Sequence, residues 1–181
     1  GRGRLSPRVL SLAAIAMLAA GARAAAVKSQ MRSAVRLGVA PAEIVEVLMQ
    51  LAVYAGFPTA LNGLGALSAV LAEGPAAAQP PVALPEPESR AERMERGNAF
   101  LARTTAGSGE AVVRSFDDLA PDLGRLIVEH AYGDVFSRAG LDPKVRELCA
   151  ISALAGVGST TTEVPLKVHM RASIKLGATR A

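Results

Sequence analysis

The sequence predicts an all-α fold built around an internal repeat, and three observations lead there. First, LSPRVLSLAAIAMLAA (residues 5–20) returns as LDPKVRELCAISALAG (141–156), and QMRSAVRLGV (30–39) returns as HMRASIKLGA (169–178). Self-similarity of this kind marks a duplicated structural unit. Second, half of the 181 residues are apolar but only 3% are aromatic, so Ala, Leu and Val carry the hydrophobicity. That balance favours helices over strands. Third, the apolar residues recur with a helical period.

Each element follows from local chemistry. Residues 5–20 read as a helix with Ser6 as N-cap, Pro7 at the first helical position and Val9, Leu12, Ala16 and Ala19 turned inward. A second helix over 25–37 carries the stripe Val27, Met31 and Val35 and stops at Gly38. Pro41 opens a third, in which Ile44, Val47, Leu48 and Leu51 keep amphipathic spacing. Gly56-Phe57-Pro58 should kink it, and a helical run resumes over 59–72. The proline-rich EGPAAAQPPVALPEPES (73–89) reads as an extended linker. Residues 89–101 then form a charged amphipathic helix and 104–109 a turn. Residues 121–136 form another helix, with Leu123, Ile127 and Ala131 inward. Segments 141–156 and 163–176 repeat the first two helices.

The chain thus divides into a first repeat (1–73), a linker (74–89) and a second unit (90–181), which combines leading helices with a partial repeat. The second copy has nothing matching 43–73, so its third helix is missing. Its face at Leu166, Met170 and Ile174 is then left partly open. Exposed apolar area costs roughly 25 cal/mol per Å², so a homo-oligomer is expected.

Composition narrows the function. The net charge is +4, but 20 basic residues face 16 acidic ones with no Lys/Arg run, which argues against nucleic-acid binding. The single cysteine, Cys149, allows no intrachain disulfide or thiol pair, and with two distant histidines no metal site is expected. Absent disulfides fit a cytoplasmic protein. The N-terminal stretch has the look of a secretory signal, yet its pattern recurs deep inside the chain, so it reads as a buried helix. The run is also too short for a bilayer, which needs about 20 apolar residues, and no membrane partner is expected.

The two copies differ where chemistry could sit. Ser11 is matched by Glu147, and Gln30 by His169. An imidazole, with an unperturbed pKa of ~6.5, exchanges protons at neutral pH. Glu147 either orients that ring or simply complements a helix N-terminus beside Lys144. The loop between them, 156–165, is three residues longer than in copy one, which makes Glu163 an alternative partner. Arg138 either forks a substrate carboxylate or braces a loop. Tyr132 and Phe136, with Tyr54 and Phe57, are candidates for a pocket wall as well as for core packing. His130 reads as a packing histidine and Cys149 as a small hydrophobe.

RSAVRLGVAPAEIVEVLMQLAVYAGFPTALNGL in copy one, and YGDVFSRAGLDPKVRELCAISALAG with KVHMRASIKLG in copy two, resemble the carboxymuconolactone decarboxylase superfamily. ERGNAF and DLGRLIVEHAYGDVFSR resemble the helices that precede its core. The resemblance implies an alkylhydroperoxidase-D-like helical bundle. The peroxidatic branch of that superfamily carries a CxxC. Here its positions fall on Thr162 and Pro165, or on Arg23 and Ala26 in copy one, so thiol chemistry is not implied. The decarboxylase branch implies Glu147 and His169 as catalytic residues and no cofactor, acting on a carboxylated lactone or related unsaturated acid. Two alternatives stand beside this carboxy-lyase. One is a cofactor-free cyclase or isomerase of polyketide or aromatic metabolism. The other is a non-catalytic helical assembly subunit.

Overall fold

The computed structural model describes residues 5–74, 89–105 and 107–179, and among these no strand occurs. The proline-rich stretch 75–88, read above as the linker, lies outside them. The chain is all-α. The first repeat is α1 (Pro7–Ala20), α2 (Ala24–Arg36) and α3 (Pro41–Ala72). After it come α4 (Arg90–Thr105), α5 (Ser108–Arg114) and α6 (Pro121–Leu126), the last running into a π-helix over Ile127–Phe136. The second repeat is α7 (Pro143–Val157), a 3₁₀ turn (Thr160–Thr162) and α8 (Glu163–Lys175).

The repeat is visible in the caps. Ser6 Oγ accepts from the Val9 amide at the head of α1. At the same place in α7, Asp142 Oδ1 accepts from the Lys144 and Val145 amides, with Pro143 at the first helical position. Each cap satisfies amides that the helix cannot. Leu12, Ile15 and Ala16 of α1 pack with Val27 and Met31 of α2. Ile44, Val47, Leu48 and Leu51 of α3 and Val145, Cys149 and Ala153 of α7 complete this main core. Each fully buried Leu, Ile or Met contributes about 1.5–3 kcal/mol.

α3 bends where expected. Gly56 takes φ 81°, ψ 160°, outside helical space and reached at low cost only without a Cβ, and Pro58 follows. The N-terminal half of α3 therefore stays in the core, while the C-terminal half turns to cover α2, where Leu67 and Val70 join Met31. Among the described residues no helix covers α8 in this way. Met31 is fully buried, but its counterpart Met170 is 49% exposed, alongside exposed Val164 and Ile174.

Three expectations are corrected. The turn placed at 104–109 is displaced, because α4 continues to Thr105 and the short α5 starts at Ser108. Leu123 is exposed rather than inward. α6 lasts only six residues before the helix widens, and the wider turn re-aims the side chains. Ile127, Ala131, Tyr132 and Phe136 then share one wall. The widening has a local cause. Arg96 Nε donates to the Gly133 carbonyl at 2.8 Å, and Ser137 Oγ donates to the same oxygen at 2.5 Å, so side chains enter the helical ladder.

α4 lies unusually close to this π-helix. A Cβ on Gly97 would fall on the Val128 carbonyl, a backbone atom with little room to move. Gly97→Ala is therefore expected to cost about 1–3 kcal/mol through overpacking. Gly65→Ala, at a helical position with open space, is expected to stabilise by roughly 0.5–1 kcal/mol. Urea denaturation of the two variants checks both values.

Candidate active site

Three helices bring three side chains together. Glu147 on α7 is 1% exposed and His169 on α8 is 6% exposed. Glu147 Oε2 lies 2.7 Å from His169 Nδ1. On the other side of the ring, the Tyr54 hydroxyl from α3 lies 3.1 Å from Nε2. The ring is fixed by aromatic neighbours: Phe136 stacks on it at 5.9 Å between centroids, and Tyr54 meets it edge-on at 5.3 Å.

The protonation pattern follows from donor and acceptor chemistry. A carboxylate only accepts, so Nδ1 carries the proton and donates to Glu147. In the neutral ring Nε2 is then the acceptor, and the Tyr54 hydroxyl donates to it. Burial, reinforced by the Glu147 charge, holds the Tyr54 phenol well above its usual pKa, which keeps that proton in place.

The three-residue insertion before α8 does not separate the pair, because the 3₁₀ turn Thr160–Thr162 takes it up. Glu163, the alternative partner, is exposed and bonded to Lys167 Nζ at 2.5 Å.

His169 opens onto a cavity of about 420 Å³. Its wall includes Val53 and Tyr54 of α3, Val112 and Val113 of α5, Tyr132 and Phe136 of the π-helix, and Val168 of α8. Tyr132 and Phe136 thus stand where a ligand would meet them. Phe57 does not: it is exposed and lies against His130, whose Nδ1 is 3.6 Å from Asp134. A second cavity of about 390 Å³ between α2 and the far half of α3 is lined by Arg23, Lys28, Asn62 and small residues, without an acid–base pair. Among the described residues no three His, Cys, Asp or Glu side chains converge as metal ligands would.

Arg138 requires a correction. It was a candidate fork for a substrate carboxylate, but the carboxylate it holds is Glu46 of the chain itself. Its Nε and Nη2 donate to Glu46 at 3.0 and 2.8 Å, with both side chains buried. Arg146 Nη2 joins at 2.9 Å, and Gln50 donates to the Arg146 carbonyl at 3.1 Å. Glu46, Gln50 and Tyr54 are successive i, i+4 positions on α3, and Arg146 precedes Glu147 on α7. The cluster therefore sets the register of the two helices that carry the site. Sequence reasoning missed it, although a Glu and a Gln four residues apart inside an apolar helix were a usable signal.

Burial alone would raise the Glu46 pKa, but the two arginines outweigh it and hold it below the ordinary 4.5. A depressed carboxyl stabilises the fold fully above its unfolded pKa and loses that contribution as pH falls through the native value. Glu46→Gln is expected to cost about 3–5 kcal/mol at neutral pH, since it strands two buried guanidiniums. That deficit should shrink as the pH drops below 4.5; urea titrations across pH check the trend. Cys149 is fully buried and its thiol is pushed up to about 12 by desolvation. It should resist iodoacetamide at pH 8 in the folded protein and react once urea unfolds it, as mass spectrometry would record.

Among curated proteins no match to the chain is found. A family model described as "Carboxymuconolactone decarboxylase family" matches residues 1–69 and 121–181, taking in α1, most of α3, the π-helix, α7 and α8. The first matched region covers α1, α2 and most of α3; the second covers α6, the π-helix, α7 and α8 and contains both Glu147 and His169. The chain belongs to the carboxymuconolactone decarboxylase family.

Proposed function

We propose that this protein is a cofactor-independent acid–base enzyme that moves a proton at a carbon conjugated to a carbonyl group. The observation that carries this reading is the hydrogen-bonded series Tyr54–His169–Glu147 set in the wall of an apolar cavity. The substrate displaces the Tyr54 hydroxyl from Nε2, which then takes a proton from the substrate carbon as the electron pair moves into the conjugated carbonyl. Glu147 stabilises the imidazolium that results, and His169 then returns the proton to the same or another carbon. No external electron acceptor is needed.

Two reactions share this step. In the lyase form, loss of CO2 from a carboxylated unsaturated lactone leaves a dienolate, which the imidazolium form of His169 protonates at carbon before taking a new proton from solvent. Isomerisation or cyclisation of a polyketide or aromatic intermediate begins and ends with the same transfer. The burial of the ring, 6% exposed, favours both, because charge interactions strengthen in a low-dielectric site.

Proton exchange into an unsaturated lactone in D2O, followed by NMR, tests the reading. His169→Gln, the residue copy one carries at this position, should slow exchange by about 10²–10⁴-fold with the fold intact by circular dichroism. Wild-type rates in that variant would contradict it. CO2 release from a carboxylated lactone distinguishes the lyase form.

A further inference from the structure

The cavity wall is almost wholly uncharged. Among the described residues that line it, none is Lys or Arg. Arg138 and Arg146, the buried guanidiniums nearest in sequence to the site, are both held by Glu46. Behind the wall, Glu147 and Glu110 lie within electrostatic reach of Tyr132, and Arg146, held by Glu46, within reach of Tyr54. The entrance continues the same character. Val112 and Val164 line the cavity and are also exposed, Val164 at 62%.

The polar groups on the wall are few, and most are occupied. The Tyr54 hydroxyl is engaged with His169, and Thr162 Oγ1 donates to the Ser159 carbonyl at 2.6 Å. Tyr132 is different. It is buried to 7%, it lines the cavity, and its hydroxyl has no hydrogen-bond partner among the described residues. Its ring is fixed by stacking on Phe136 at 5.4 Å, the same ring that stacks on His169. The hydroxyl is not sealed in the core, since the one buried side-chain polar atom without a partner among the described residues is Arg146 Nε; it is open to the cavity, where a ligand oxygen can accept its hydrogen bond.

We infer that the cavity takes an uncharged, largely apolar carbonyl compound whose oxygen accepts a hydrogen bond from Tyr132, and that it rejects carboxylated ligands. A carboxylate there would be desolvated, would find no cation and would face Glu147. This deepens the proton-transfer reading, on which it rests, and it selects isomerisation or cyclisation over decarboxylation. The proton leaves the carbon next to the carbonyl for Nε2 of His169, and the C–H pair becomes the C=C of an enolate whose oxygen Tyr132 holds. In a β,γ-unsaturated substrate this enolate is a dienolate, which takes the proton back from His169 at the γ-carbon as the double bond moves to the α,β position and the carbonyl re-forms. Nothing is oxidised or reduced.

A matched pair of probes tests the inference: a β,γ-butenolide carrying a methyl ester and the same butenolide carrying the free carboxylate. Calorimetric titration of the full chain at pH 7.5 should show ester binding, with the acid weaker by at least about 100-fold. Tyr132→Phe should weaken the ester about tenfold while leaving the matching carbonyl-free cyclic alkene unchanged, a contrast that a merely structural role would not produce. Val112→Lys, at the exposed rim, should restore binding of the acid. Equal or tighter binding of the acid by the wild type overturns the inference, and so does failure of both probes to bind. Deuterium exchange into the bound ester separates this from the parent reading. Ester-selective binding without His169-dependent exchange would keep the ligand class and remove the proton transfer. His169-dependent turnover of the acid would do the reverse.

Discussion

Glu46 is a carboxylate in the middle of an apolar helix, and its partners come from far along the chain. Two guanidiniums, from the turn before α7 and from α7 itself, converge on it out of contact with solvent. An ion pair of this kind adds little net stability compared with apolar packing, but it tolerates almost no change of register. Sliding α7 against α3 by a turn would leave three buried charges unpaired. The residue after Arg146 is Glu147, and the residue two helical turns after Glu46 is Tyr54. The clamp that fixes the helices therefore also fixes both hydrogen-bond partners of His169.

The duplication explains why only one half of the molecule carries this chemistry. α1 keeps the capped, proline-led start of α7, and α2 keeps the sequence pattern of α8, but they have Ser11 and Gln30 where α7 and α8 have Glu147 and His169. The first copy instead contributes α3, whose Tyr54 reaches across to the second copy's imidazole. The site is thus composite. One repeat supplies the acid–base pair, the other supplies the phenol, and the intervening π-helix supplies the aromatic wall.

Much of the fold could be read in advance because its signals are local. Ser6-Pro7 and Asp142-Pro143 are caps legible over four residues, and Gly56-Phe57-Pro58 announces a kink by its chemistry alone. The Glu147–His169 pair was legible because the two copies differ there. What stayed hidden was long-range. Glu46 and Arg138 are 92 positions apart, and Tyr54 and His169 are 115 apart, so neither pairing leaves a periodic trace. The π-helix was hidden for another reason: its cause is the Arg96 side chain on a different helix, and Leu123 was turned inward on the assumption of an ordinary α-helical period. Arg138 was left between a ligand-binding fork and a loop brace because a guanidinium shows its geometry but not its partner.

The account depends on an imidazole whose Nδ1 is bonded to Glu147 and whose Nε2 faces the Tyr54 hydroxyl beside the cavity. Nitrogen-15 NMR of histidine-labelled protein reads this directly, with the His169→Gln variant assigning the resonances. The account predicts a protonated, strongly hydrogen-bonded Nδ1 and a bare Nε2 for neutral His169, with the Nδ1 proton slow to exchange with water. A proton on Nε2, or a ring whose tautomers average as they do in free solution, would contradict it.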